Sequence, residues 1–169
     1  TTSISAAEFR SVTLGDGTRI EFAVVLPPNF DANKTYPLLL ALPPGRQDEP
    51  MVTAGLAGYW EEAARQLGFI VASPAAPGVM FFRGGERHIP AFLDEIRRSL
   101  PFTGPVHLAG ISNGGLSAFW IAGSSFTKRA LKPLTRTVRS AYSAGASRAA
   151  RKVAARITFR CRWEPPSRK

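Results

Sequence analysis

Gly110-Ile111-Ser112-Asn113-Gly114-Gly115 is the stretch that decides the fold of this chain. It follows the apolar run Val106–Ala109, which has the length of a strand, and it leads into Gly114–Ala122, which reads as a helix. The order predicts a strand, a sharp turn with Ser112 at its tip, and a helix. Glycines at 110 and 114 fit a turn in which strand and helix approach too closely for side chains.

A Gly-x-Ser-x-Gly turn between a strand and a helix is the pattern of a nucleophile elbow. Such a turn lifts the serine Oγ above the sheet. The helix that begins beside it offers N–H groups and a partial positive charge to a developing oxyanion. Ser112 is therefore the candidate nucleophile. The alternative is a glycine- and serine-rich turn without chemistry, and the flanking strand and helix favour the elbow.

Strands alternate with helices upstream of the elbow. Glu8–Leu14 and Arg19–Leu26 predict a hairpin, because Asp16-Gly17 between two β-rich runs is a turn signal. Further strands are predicted at Leu38–Leu42 and Phe69–Ala72, and helices over 52–67 and Ile89–Leu100. This order predicts an α/β fold whose parallel sheet is covered by helices on both faces. The hairpin should lie at one edge, and Val106–Ala109 should lie beside Leu38–Leu42.

Over residues 8–123 the chain resembles the α/β-hydrolase superfamily, in particular bacterial serine esterases of the carboxylesterase, feruloyl-esterase and polyester-depolymerase type. The elbow carries the resemblance together with the hairpin, the turn-rich loop Pro27–Pro37 and the segment Leu40-Ala41-Leu42-Pro43-Pro44-Gly45, where the family has its oxyanion loop. The resemblance implies an incomplete α/β-hydrolase fold and hydrolysis of a small-molecule carboxylic ester through an acyl-Ser112 intermediate. It implies no metal and no organic cofactor.

The resemblance also implies an oxyanion hole made of backbone N–H groups. One is that of Asn113, directly after the serine. The other comes from the loop after the third strand, where Pro43 and Pro44 have no N–H to offer. The second donor is therefore Gly45 or Arg46.

The acid and the histidine of a catalytic triad are missing from their expected places. In the family they follow the serine in the chain, but both histidines, His88 and His107, precede Ser112, and Glu164 is the only acid after it. His107 lies inside the strand that feeds the elbow, and His88 opens a helix, with a place at a pocket rim as the alternative. We therefore expect the activity of this chain to be impaired.

Charge divides the chain into two parts. Residues 1–123 carry nine Lys or Arg and eleven Asp or Glu, whereas residues 124–169 carry thirteen Lys or Arg and one Glu. We interpret 1–123 as the N-terminal part of an α/β-hydrolase domain, and 124–169 as a basic Arg/Ala/Ser-rich segment produced by a frameshift or truncation, or disordered. The alternatives are a basic tail that binds nucleic acid or an anionic membrane in a noncatalytic protein, and a variant of the fold. A nucleic-acid partner is not favoured.

The segment 124–169 shows no apolar run typical of a buried strand. We therefore expect the strand Val106–Ala109 to have an uncovered edge, and the segment to be poorly ordered beyond Ser124. Phe119, in contrast, is expected in the core. The aromatic pair Phe81-Phe82, with Met80, is expected either to line a pocket or to anchor its loop.

Composition excludes several other classes of protein. No apolar run reaches about 18 residues, so no transmembrane helix is expected. The single cysteine, Cys161, excludes a disulfide within the chain. It favours a soluble, cytoplasmic protein over an exported one without excluding export. No cluster of metal ligands and no phosphate-binding loop are present in the sequence.

Overall fold

A mixed sheet runs through the protein, and the computed structural model describes residues 6–123, 131–133 and 159–163. Within these residues the strand order is β1-β2-β4-β3-β5-β7-β6. The strands are β1 Glu8–Thr13, β2 Arg19–Val25, β3 Tyr36–Leu42, β4 Ile70–Pro74, β5 Phe102–Gly110, β6 Leu131–Pro133 and β7 Phe159–Trp163. The helices are α1 Glu49–Gly55, α2 Glu61–Leu67, α3 Ile89–Arg97 and α4 Asn113–Gly123, with a π-helical segment Leu56–Trp60 and 3₁₀ turns Phe81–Arg83 and Gly85–His88.

The predicted hairpin is confirmed at the β1 edge. β1 and β2 pair antiparallel, and the N–H of Leu14 donates to the carbonyl of Thr18 at 2.8 Å across the turn. The Asp16 carboxylate accepts from the N–H of Thr18 at 2.9 Å, and Gly17 has φ +84°, a conformation that suits glycine. β2 then pairs antiparallel with β4 and joins the hairpin to the rest of the sheet.

The centre of the sheet is parallel, as predicted. β3 pairs in parallel with β4 on one side and with β5 on the other, and Leu42 lies opposite Gly110 at the carboxyl ends. One face of the sheet packs against α3 and α4, and the other against α1, the π-helical segment and α2. A sheet covered on both faces explains why β3 and β4 are continuous apolar runs rather than alternating ones.

The helix predicted over 52–67 begins three residues earlier and is not regular throughout. Asp48 caps α1 by accepting from the N–H of Met51 at 3.2 Å, and Pro50 stands in the first turn, where its missing N–H costs nothing. A π-helical segment separates α1 from α2, and Gly68 ends α2 with φ +69°. No helix in the described ranges is long and apolar enough to cross a membrane.

Two expectations from the sequence are wrong. The outer edge of β5 is paired, because β7 runs antiparallel to it with Val106 opposite Cys161 and Leu108 opposite Phe159. The segment Phe159-Arg160-Cys161-Arg162-Trp163 alternates apolar and charged residues, a strand pattern that its basic composition obscures. Phe119 is half exposed rather than buried. The expectation of low order beyond Ser124 falls largely on residues outside the described ranges.

Hydrogen exchange tests the pairing of β5 with β7. Successive N–H groups of a strand point to opposite neighbours, so all amides of Val106–Ala109 should be protected if β3 and β7 flank β5. β1 is the internal comparison, because it is an edge strand and alternate amides within it should exchange fast. Fast exchange at every second amide of β5 would contradict the β7 pairing.

Candidate active site

At the carboxyl ends of the neighbouring strands β3 and β5 the chain leaves toward opposite faces of the sheet. β3 continues into α1 on one face, and β5 continues into α4 on the other. Connections that diverge in this way leave an opening at the strand ends, where open α/β sheets bind ligands. The loop after β3 and the turn after β5 both lie there, so the fold brings the predicted oxyanion loop and Ser112 to the same edge.

Ser112 occupies the tip of the turn between β5 and α4. Its φ is +54°, in the left-handed region, and its side chain is exposed. Two hydrogen bonds close the turn. The N–H of Gly114 donates to the carbonyl oxygen of Ile111 at 2.9 Å, and the N–H of Leu116 donates to that of Ser112 at 3.1 Å. A left-handed residue other than glycine costs about 1–2 kcal/mol. The strained turn predicted from the sequence is therefore present.

The glycines at 110 and 114 are required by backbone approach rather than by φ. A Cβ on Gly110 would lie 2.1 Å from the carbonyl oxygen of Gly114, and a Cβ on Gly114 would lie 2.0 Å from that of Leu42. Both obstacles are backbone atoms, which cannot move aside as a side chain can. The end of β5, the start of α4 and the end of β3 therefore meet at a single point.

Asn113 connects the elbow to the loop after β3. Its Nδ2 donates to the carbonyl oxygen of Gly45 at 2.8 Å. The loop itself turns tightly, with Gly45 at φ +59° and the N–H of Gln47 donating to the carbonyl of Pro44 at 3.1 Å. The N–H of Asn113, the first of α4, has no partner within the helix and faces its N-terminus, whereas the N–H of Gly114 is engaged in the turn.

Both methionines of the chain lie against this junction. The sulfur of Met51 is 2.7 Å from where a Cβ on Gly45 would stand, and the sulfur of Met80 is 3.9 Å from Asn113 Nδ2. Phe81 is fully buried in the core, so it anchors its loop rather than lining a pocket. Phe82 lies under the guanidinium of Arg83, 5.5 Å from ring centroid to Cζ.

Gln47 is a residue of the site that the sequence does not reveal. Its side chain is completely buried and its amide contacts Pro43, Phe81 and Ser117. A glutamine between a turn and a helix cap belongs to no motif, and its partners are 34 and 70 residues away in the chain. Only the folded arrangement makes it visible.

The structure does not bring either histidine to the elbow. His88 is buried beside the hairpin, where its Nδ1 lies 3.6 Å from an Asp16 carboxylate oxygen and its Nε2 accepts from Arg87 at 3.2 Å. The N–H of Thr18 and, more weakly, His88 lower the pKa of Asp16. His107 lies within β5, its ring edge-on to Phe69 with centroids 5.0 Å apart. It precedes the strand end by three residues, about 10 Å along the strand.

Within the described residues no group of His, Cys, Asp and Glu could hold a metal ion.

Apolar surface is exposed near the elbow on both helical layers. On α4, Leu116, Phe119 and Trp120 are each about half exposed, and on the opposite face Tyr59 and Leu67 are exposed beside an apolar cavity of about 220 Å³. Patches of this kind mark surfaces that a partner or another segment covers.

Comparisons with known proteins agree with this fold. No protein-family model matches the chain. The S-formylglutathione hydrolase of Agrobacterium tumefaciens is similar over 71% of this chain and 56% of its own, with a TM-score of 0.57 and 18% identity. The ferulic acid esterase of Anaeromyces mucronatus is similar over 71% and 54%, with a TM-score of 0.58 and 16% identity. The described part of the chain therefore has an incomplete α/β-hydrolase fold.

A peptidase is similar in sequence as well. Dipeptidyl-peptidase 5 of Porphyromonas gingivalis is 32% identical over 133 residues, which cover 70% of this chain and 19% of that protein. The chain thus spans about half the length of the two similar structures and about a fifth of the peptidase.

Alanine substitutions at the glycines test the close approach at the elbow. Gly114→Ala should lower the free energy of unfolding by about 3 kcal/mol or more, because its Cβ would overlap a backbone oxygen. Gly58→Ala is the matched control, since a Cβ there meets nothing within 4 Å. Chemical denaturation of both variants measures the difference, and equal stabilities would contradict the geometry.

Proposed function

We propose that this α/β-hydrolase is built as a serine hydrolase that acts on carboxylic esters through an acyl-Ser112 intermediate. The observation that carries the proposal is the exposed Ser112 at φ +54°, held at the N-terminus of α4. In this reaction the Oγ attacks the ester carbonyl carbon and loses its proton to a base. The carbonyl oxygen becomes an oxyanion until the alcohol leaves, and water then releases the acid from Ser112.

The Asn113 N–H and the Gly45 N–H are the donors that we assign to the oxyanion. All described peptides are trans, so each N–H points opposite to the carbonyl of the same peptide. The carbonyl of Gly45 faces Asn113 Nδ2, which directs the Arg46 N–H away from the elbow. The carbonyl of Pro44 faces Gln47 inside the turn, which directs the Gly45 N–H outward. Of the two candidates left by the sequence, this geometry supports Gly45.

A base for Ser112 is the part that the described residues do not supply. His88 is engaged with Asp16 and Arg87, and His107 lies within β5, so neither is placed to take the Oγ proton. Without a base Ser112 stays a neutral hydroxyl. Oxyanion stabilisation alone leaves only a small fraction of the full rate, because loss of a triad member lowers the rate on the order of 10⁴–10⁶-fold.

We further propose that residues 1–123 belong to a hydrolase domain and that 124–169 are read out of the frame of that domain. Three observations support this. The charge balance reverses near residue 123. Large apolar side chains of α2 and α4 are exposed. β7 joins β5 antiparallel, whereas helical crossovers in such sheets give parallel neighbours. The DNA beyond codon 123 tests this, because another frame should encode strands with an acid and a later histidine.

Two other candidates are weighed by experiment. The 32% identity with a dipeptidyl-peptidase makes peptide hydrolysis by the same Ser112 chemistry a second candidate function. The rates of hydrolysis of a peptide and an ester that carry the same acyl group distinguish the two functions. A noncatalytic basic protein is the other candidate, and most of its binding segment lies outside the described residues. Steeply salt-dependent binding to a polyanion would support it.

Labelling by a fluorophosphonate tests the nucleophile. Ser112 should be phosphonylated slowly, at a rate that rises with pH because hydroxide must replace the missing base, and Ser112→Ala should remove the label. Ser99→Ala, which changes a serine far from the elbow, should leave the label in place. Mass spectrometry of the tryptic peptide identifies the modified residue, and a label on another residue would refute the assignment.

Turnover tests the absence of the base. A p-nitrophenyl ester should be hydrolysed about 10⁴–10⁶-fold more slowly than by an intact serine esterase. Ser112→Ala should lower the remaining rate of hydrolysis to that of the ester in buffer alone. Turnover at ordinary enzyme rates that depends on Ser112 would show that a base acts on the serine after all.

A further inference from the structure

Gln47 has every polar atom engaged although it is completely buried. Its Nε2 donates to the carbonyl oxygen of Pro43 at 3.1 Å and to Ser117 Oγ at 2.9 Å. Its Oε1 accepts from the N–H of Phe81 at 3.0 Å and lies 3.3 Å from Ser117 Oγ. Its own carbonyl accepts from the N–H of Ala76 at 2.7 Å. A buried amide with all partners in place specifies one arrangement of its surroundings.

The partners fix which way the amide group faces. Pro43 presents a carbonyl oxygen, which only an N–H can approach, and Phe81 presents an N–H, which only the oxygen can accept. The side chain therefore cannot turn over without losing both bonds. It joins three segments that are separate in the sequence: the loop after β3, the loop after β4 and the elbow helix α4.

The backbone of Gln47 is strained, and the strain lies in the loop of the oxyanion donor. Gln47 has φ +62° and Gly45, two residues earlier, has φ +59°. A left-handed glutamine costs about 1 kcal/mol or more and persists only where other contacts hold it. The side-chain bonds of Gln47 supply those contacts, and the turn from Pro44 to Gln47 sets the direction of the Gly45 N–H.

We infer that Gln47 is a positioning residue for the oxyanion hole: it holds the Gly45 N–H in register with the Asn113 N–H by tying the loop after β3 to Ser117 of α4. The inference rests on the proposed serine hydrolase chemistry. It assigns no direct contact with substrate to Gln47. Misplacing a donor by about 1 Å costs on the order of 10²-fold in rate, so the loss should appear in the chemical step and not in substrate binding.

Phosphonylation kinetics on the full chain test the inference. Ser112 Oγ forms a bond to phosphorus, fluoride leaves, and the Oγ proton passes to hydroxide, while the phosphonyl oxygen occupies the oxyanion hole. In Gln47→Leu the limiting rate constant should fall about 10- to 100-fold, with the half-saturating probe concentration changed less than about twofold. Gln66→Leu is the matched control, because Gln66 is exposed on α2 and bonds only to Glu62 there. It should label like the unsubstituted chain.

Gln47→Glu supplies a rescue by pH. An ionised carboxylate cannot donate to the Pro43 carbonyl, but a neutral carboxylic acid can, and burial raises the pKa of such an acid. Relative to the unsubstituted chain at each pH, its labelling rate should therefore be low in alkali and recover toward acid. Circular dichroism shows that each variant is folded under the conditions of the assay.

The outcomes separate the two claims. Folded Gln47→Leu that labels at the unsubstituted rate would overturn the positioning role and leave the proposed function intact. Variants Gln47→Leu and Gln47→Glu that both fail to fold would show a purely structural residue and would also overturn it. No label at Ser112 in the unsubstituted chain would contradict the proposed function itself, and the inference with it.

Discussion

Backbone contact at the elbow is the constraint on which the rest of the site depends. The ends of β3 and β5 and the start of α4 approach so closely that a single methyl group on Gly110 or Gly114 would overlap a carbonyl oxygen. In the same turn Ser112 has the left-handed conformation and an exposed side chain. Hydrophobic packing of the apolar sheet against helices on both faces holds the three segments at that distance.

The junction is then locked by a few polar contacts. Asn113 Nδ2 joins the elbow to the carbonyl of Gly45, and the buried amide of Gln47 joins the same loop to Ser117 and Phe81. Buried polar groups are costly unless they are paired, so these bonds allow little choice of loop conformation. An oxyanion hole has value because its donors are fixed before the reaction begins. The same rigidity that would position the proposed donors makes the loop intolerant of small changes.

Local patterns predicted most of the fold. The apolar runs of β3 and β4, the Asp-Gly hairpin and the Gly-x-Ser-x-Gly turn each carry their signal within a few residues. The sequence also located Ser112 and Asn113 in the turn and narrowed the loop donor to two residues. What it missed depends on contacts distant in the chain. Gln47 meets partners 34 and 70 residues away, and 48 residues separate the end of β5 from the start of β7. Whether Phe119 is buried also depends on what packs against α4, which the sequence of the helix alone does not determine.

The most direct test of the proposed acyl-transfer site is a crystal structure of the chain after phosphonylation. The phosphorus should be bonded to Ser112 Oγ, and one phosphonyl oxygen should lie about 2.7–3.1 Å from the backbone nitrogens of both Asn113 and Gly45. Gln47 should keep its contacts with Pro43, Phe81 and Ser117. A phosphonyl oxygen directed to solvent, or an adduct on another residue, would contradict the assignment of this elbow as a catalytic one.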